Sequence, residues 1–127
     1  VFTGDTLFSL GCGRVFEGTC QQMFDSLNKI KNLPEDTKIY CGHEYTKNNF
    51  KFCLKFNPNN DHLKNKQKEI ESKTKEGKPT IPSTIKEEIK TNIFLRYDDL
   101  DVKSALNLKN ASDLEIFTKL RDLKDNF

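Results

Sequence analysis

The chain has 127 residues, 21 Lys and Arg against 19 Asp and Glu for a net charge of +2, and no tryptophan. So even a balance excludes a dedicated nucleic-acid surface, and no apolar run approaches the about 20 residues that a membrane-spanning helix needs. The length suits one modest domain, and a charged share of 31% against an apolar share of 35% requires that some of its helix be solvated.

Residues 1–8 form a β-branched and aromatic run that reads as a buried strand, with Gly4 marking a turn just before Asp5. A carboxylate at a strand end suits a site, although Asp5 bonding its own backbone to cap the turn is an equally good account of this stretch alone. The chain opens without methionine, directly on strand-like residues, and reads as a fragment of a longer protein. The loop that follows carries Gly11, Gly13 and Gly18 around Arg14, a composition that permits positive φ and close approach to the backbone. Arg14 can offer a planar fork to a carboxylate or simply lie in solvent.

Thr19 and Gln22 match a capping box for a helix running to about Asn32, with Met23, Phe24, Leu27 and Ile30 on its core face. After a Pro34 turn, residues 38–41 read as a second strand, ending through Gly42 at His43. Strand, helix and strand place the two strand ends on one edge, so Asp5 and His43 are expected to emerge together. Imidazole and carboxylate so paired suit zinc, iron or manganese.

Beyond His43 the chain turns helical. Residues 46–56 form an apolar-rich helix stopped at Asn57-Pro58, and Asn60 caps a polar helix that Gly77 ends. His62 lies in its first turn and reads as exposed, not as a ligand. Residues 78–83 are an extended connector pinned by Pro79 and Pro82, Thr84 and Glu87 offer a further capping box, and residues 92–96 form a short apolar patch. Ser112 and Glu115 match another box, starting a last helix whose spacing sets Arg121 beside Lys124. Two adjacent cations can share an anionic ligand or be two solvated charges. The four cysteines, Cys12, Cys20, Cys41 and Cys53, lack the C-x-x-C spacing of a structural zinc site and read as reduced thiols, Cys41 and Cys53 packing as small hydrophobes.

Several segments, in this order, resemble glyoxalase II, the hydroxyacylglutathione hydrolase family. They are Phe2-Thr3-Gly4-Asp5-Thr6-Leu7-Phe8, Gly11-Cys12-Gly13-Arg14 with Glu17-Gly18, Tyr40-Cys41-Gly42-His43-Glu44-Tyr45-Thr46, Pro79-Thr80-Ile81-Pro82-Ser83-Thr84, Asn92-Ile93-Phe94-Leu95-Arg96 and Lys124-Asp125-Asn126-Phe127. The resemblance implies an α/β chain in two parts. Residues 1–45 would be the end of an αββα metallo-β-lactamase catalytic sandwich, and residues 46–127 an α-helical glutathione-binding domain.

The same resemblance implies hydrolysis of S-(2-hydroxyacyl)glutathione to glutathione and a 2-hydroxy acid, S-D-lactoylglutathione giving D-lactate in methylglyoxal detoxification. Two divalent metal ions are implied, zinc first with iron or manganese as alternatives, bridged by Asp5 and bound at one ion by His43. Arg14, Arg121 and Lys124 would face the glycine carboxylate of glutathione, with Tyr45 giving a hydroxyl nearby and Phe16 a shape contact. Many family members have lysine at the place of Arg14 and tyrosine at that of Phe16. The family's T-H-x-H-x-D-H stretch is absent, so the chain alone is expected to be inactive. The implied partner is the small-molecule thioester, with neither nucleic acid nor membrane; the expected compartment is intracellular, the cytoplasm first and an organelle next. Two rivals remain: a persulfide dioxygenase of the same fold, which uses one iron and lacks this long cationic domain, and a non-catalytic helical binding module.

Overall fold

The computed structural model describes residues 1–15 and 19–127. Three short strands open the chain: β1 (Phe2–Gly4), β2 (Leu7–Phe8) and β3 (Gly11–Cys12). Helix α1 (Cys20–Lys31) leads to β4 (Lys38–Cys41), and then come α2 (Thr46–Phe56), α3 (Asp61–Lys75), β5 (Ser83–Thr84), α4 (Ile85–Thr91), a 3-10 turn (Ile93–Leu95), α5 (Leu100–Ala105) and α6 (Asp113–Asp125).

The chain starts differently from what its apolar run suggests. β1 ends at Gly4, which sits at φ +52°, and Thr6 N–H closes a turn on the Thr3 carbonyl at 2.9 Å. β1 is buried only at Thr3: Phe2 is 87% exposed, its ring against that of the neighbouring Tyr40. Leu7 and Phe8, which are buried, leave β1's sheet and pair antiparallel with Cys12 and Gly11 in a hairpin. The single run is therefore split at the glycine into two strands of two sheets.

β1 and β4 pair in parallel across α1, the expected crossover, and β5 adds antiparallel to the far side of β4. Helix starts follow local chemistry. Thr19 and Ser112 each complete a capping box, and the Asn60 side chain accepts the Leu63 N–H. At α4 only half of the anticipated box forms: Thr84 accepts Glu87 N–H, but the Glu87 carboxylate turns to the Lys66 ammonium at 3.2 Å and to the Ser83 hydroxyl at 3.3 Å. Lys66 is only 5% exposed, so a cation on the buried side of α3 takes that carboxylate in place of the cap.

The apolar core runs through both halves of the chain. Leu7, Leu10, Leu27 and Ile39 join Phe52, Phe94 and Phe117 in one buried cluster, with Phe52 stacked on Phe94 and Phe117 edge-on to it. Cys53 packs there as expected, whereas Cys41 is only half-buried and donates its S–H to the His43 carbonyl at 3.2 Å. Among the described residues no helix is long and apolar enough to cross a membrane.

Candidate functional site

The parallel pairing of β1 and β4 brings their ends together. Gly42 N–H donates to the Gly4 carbonyl at 2.8 Å, and one residue further along each strand the Asp5 carboxylate meets His43 Nε2 at 3.2 Å. A Cβ at Gly42 would stand 2.7 Å from Asp5 Oδ1, so glycine is what allows the approach. Both side chains are open, Asp5 73% and His43 48% exposed. The His43 ring lies parallel to that of Tyr45, 4.8 Å apart, and Phe8 packs edge-on to both. This wall fixes the plane of the imidazole.

Asp5, His43, Tyr45, Arg14, Arg121 and Lys124, far apart in sequence, all line one cavity of about 440 Å³. Phe16 lies outside the described residues. His62 lines a different cavity, between α3 and α4.

The three cations of the site are not equivalent. Arg121 is 3% exposed, and its guanidinium donates to the carbonyls of Cys12 at 2.7 Å and Gly13 at 3.1 Å. It also pairs with Asp125 at 2.9 Å and rests on the Phe94 ring. Arg121 thus fastens the loop after β3 to α6, an arrangement that a flexible ammonium could not match. Arg14 is largely exposed and reaches the same Asp125 at 3.8 Å. Lys124 is half-buried and, among the described residues, makes no ion pair. Burial first, then the charges of Arg121 and Arg14, pull its ammonium below the usual lysine range. An anion arriving there would relieve both effects.

A polar clamp beneath the β2–β3 hairpin went unread in the sequence. Leu10, in the hairpin turn, sits at φ +62°, where a non-glycine residue is strained. Its N–H donates to the buried Glu88 carboxylate at 2.6 Å, which also accepts from Ser83 Oγ at 2.8 Å and Asn92 Nδ2 at 3.2 Å. Asn92 also holds the carbonyls of Phe8 and Gly11, and Asn49 holds that of Ser9. The hairpin follows Asp5 and leads into Arg14, and Gly13 N–H closes its open end on the Thr6 carbonyl at 3.0 Å, so the clamp steadies both residues from below. Its trace in the sequence is an acid, Glu88, on the same face of α4 as Ile85, a position where apolar residues are the rule, and an amide, Asn92, just past the end of that helix.

Burial pushes the Glu88 carboxyl above the usual carboxylate range despite its donors. Between the ordinary value and the raised one the folded state keeps a proton that the unfolded chain has lost, so stability falls as pH rises through that window. Glu88→Gln presents a neutral isostere and should remove this fall. Urea midpoints measured across the window check it, and parallel pH profiles for the two proteins would count against it.

The two buried thiols offer no alternative nucleophile. Burial pushes Cys12, at the cavity wall, up to about 11 and Cys53 to about 12, so neither is a nucleophilic thiolate at neutral pH. Asp5 and His43 supply an oxygen and a nitrogen donor, a pair suited to a divalent transition metal. A catalytic zinc site takes three protein ligands, and among the described residues no group of three or more His, Cys, Asp or Glu assembles.

Residues 44–127 match the family model described as hydroxyacylglutathione hydrolase C-terminus. The whole chain is 59% identical to a hydroxyacylglutathione hydrolase of Pelagibacter ubique, covering 47% of that protein. It is 50% identical over 98% of its length to the protein of that name in Nitrobacter winogradskyi, covering 49% of it, and 48% identical over its full length to that of Bartonella tribocorum, covering 50%. The chain therefore spans about half the length of the curated relatives it matches. On the strength of the family match and these identities, the chain belongs to the hydroxyacylglutathione hydrolase family, as its C-terminal part.

Proposed function

We propose that the full-length protein hydrolyses S-(2-hydroxyacyl)glutathione thioesters, S-D-lactoylglutathione foremost, and that this chain carries one edge of the metal centre and the glutathione grip. The observation that carries the reading is that one cavity is lined both by the Asp5 and His43 pair and by the half-buried Lys124. Residues 1–45 act as the end of the catalytic domain and residues 46–127 as the binding domain; the family match from residue 44 onward supports this division.

Asp5 and His43 would help to hold two divalent ions, together with ligands from outside this chain. Two such ions, when bound, supply hydroxide at neutral pH and polarise the thioester carbonyl. Hydrolysis forms one C–O bond and breaks the C–S bond, releasing glutathione thiolate and the 2-hydroxy acid. Thiolate is a good leaving group, so the task left to this chain is placement. Lys124 and Arg14 hold the glycine carboxylate of glutathione, and Tyr45 gives a hydroxyl beside it while its ring keeps His43 in plane. Arg121 acts on the grip through the loop carbonyls it binds, keeping Arg14 over the cavity.

Lys124→Ala in the full-length enzyme should cost about 1.5 to 3 kcal/mol of substrate binding, the strength of a charge-assisted hydrogen bond. That is roughly a 10- to 150-fold rise in KM with kcat much less changed. Added salt should weaken binding more in the wild type than in the variant. An unchanged KM with the original salt dependence would remove Lys124 from the grip.

A further inference from the structure

Between β4 and α2 the backbone of residues 42–45 has no regular structure, yet it carries both His43 and Tyr45. Stacking alone does not hold such a segment in place, because two rings can move together. Gly42 N–H on the Gly4 carbonyl and Cys41 S–H on the His43 carbonyl hold its start, and the residue between the two rings supplies a further anchor. Glu44 accepts from Thr80 N–H at 2.5 Å, Thr80 Oγ1 at 2.8 Å and Ile81 N–H at 3.1 Å.

Thr80 is buried and its hydroxyl also meets that of Thr46, the first residue of α2, at 2.5 Å. A hydroxyl has one proton, so if Thr80 gives its own to Glu44, Thr46 must donate to Thr80. The bonds then run in one direction, from Thr46 through Thr80 to the carboxylate, and two backbone N–H groups of the connector close on the same oxygens. Hydrogen bonds to an ionised acceptor are the stronger kind.

We infer that Glu44 and Thr80 are positioning residues, a clamp that fixes the His43 and Tyr45 rings by tying the turn between them to the connector ahead of α4. The inference rests on the function proposed above, since it is the placement of those two rings that the clamp serves. It makes the extended connector part of the site: a shift at Thr80 reaches His43 through one intervening residue.

The test is a double-mutant cycle in the full-length enzyme, with Glu44→Ala, Thr80→Val and their combination, read as kcat, KM and melting temperature. Glu44→Ala should lower kcat/KM by about 10- to 100-fold, the loss typical when a partner that orients a metal ligand is removed. Thr80→Val should cost less because its backbone N–H remains, and in the Glu44→Ala background it should cost almost nothing. Glu44→Gln, which keeps an acceptor for the two N–H groups, should recover part of the loss. Independent, multiplying losses would overturn the clamp, as would a lowered melting temperature with kcat and KM intact. The His43 imidazole resonance, assigned by its absence in His43→Gln, reads the same placement without catalysis and should move in Glu44→Ala; an unmoved resonance also overturns the clamp. A wild-type enzyme without thioesterase activity but with a shifted His43 resonance in the variant would overturn the proposed function and leave the clamp standing.

Discussion

Asp5→Ala in the full-length protein is expected to lose its divalent metal and with it hydrolysis, by more than the about 100-fold that follows removal of a residue merely orienting a ligand. The expectation follows from position. Asp5 is just past the end of β1, 3.2 Å from His43, and among the described residues its largely exposed carboxylate makes no buried bond that the fold would miss. Its loss should therefore leave the melting temperature of the metal-free protein nearly unchanged. His62→Ala is the matched control, since His62 lies on the exposed face of α3 and lines a separate cavity. Metal analysis and turnover on both variants decide the matter. An Asp5→Ala enzyme that keeps its metal and its rate would show that the carboxylate caps the turn and does nothing else.

Gly13→Ala should be the most damaging substitution among the glycines of the described residues. A Cβ there would fall 1.8 Å from the Asp5 carbonyl oxygen, a separation no real carbon shows, and the neighbouring atom is backbone, with little freedom to yield. Gly13 N–H also donates to the Thr6 carbonyl at 3.0 Å, so the hairpin has to open or Asp5 has to move. Overpacking of this kind costs about 1 to 3 kcal/mol. In a protein of roughly twice this chain's length that is a fall of about 2 to 12 °C in melting temperature. Because the displaced atom belongs to Asp5, metal should be lost as well. Gly77→Ala separates the two effects: Gly77 has φ +69° but open space around it, so the substitution should cost about 1 to 2 kcal/mol of backbone strain and leave metal and activity alone. Equal metal content in the two variants would contradict this account of Gly13.

Features written within a few residues of each other were legible in the sequence. The caps at Thr19, Asn60 and Ser112 depend on contacts three residues away, and a strand, helix and strand of ordinary length bring two strand ends together, so the meeting of Asp5 and His43 followed from order alone. What stayed hidden depends on long separations. Whether Arg121 faces solvent, ligand or backbone is decided by the carbonyls of Cys12 and Gly13, more than a hundred residues earlier. β5 exists because Ser83 and Thr84 meet β4, and two residues carry no strand signal of their own. The turn at Gly4 and the helix end at Gly77 were legible and both take positive φ, whereas Gly11 and Gly13, read as permitting positive φ and close approach, use only the second, with the Asn49 side chain and the Asp5 carbonyl crowding them. Glu88 was hidden by its type: a carboxylate in an α4 rich in charge reads as surface until its four donors are seen together.

The most direct measurement is steady-state kinetics of the full-length wild type, Asp5→Ala and Lys124→Ala on S-D-lactoylglutathione, with bound metal determined on the same samples. The proposed function predicts a metal-loaded, active wild type. Asp5→Ala should lose metal and kcat together, and Lys124→Ala should keep both and lose affinity alone. A metal-loaded wild type that does not hydrolyse the thioester, or a Lys124→Ala enzyme whose KM is unchanged while its kcat falls, would contradict it.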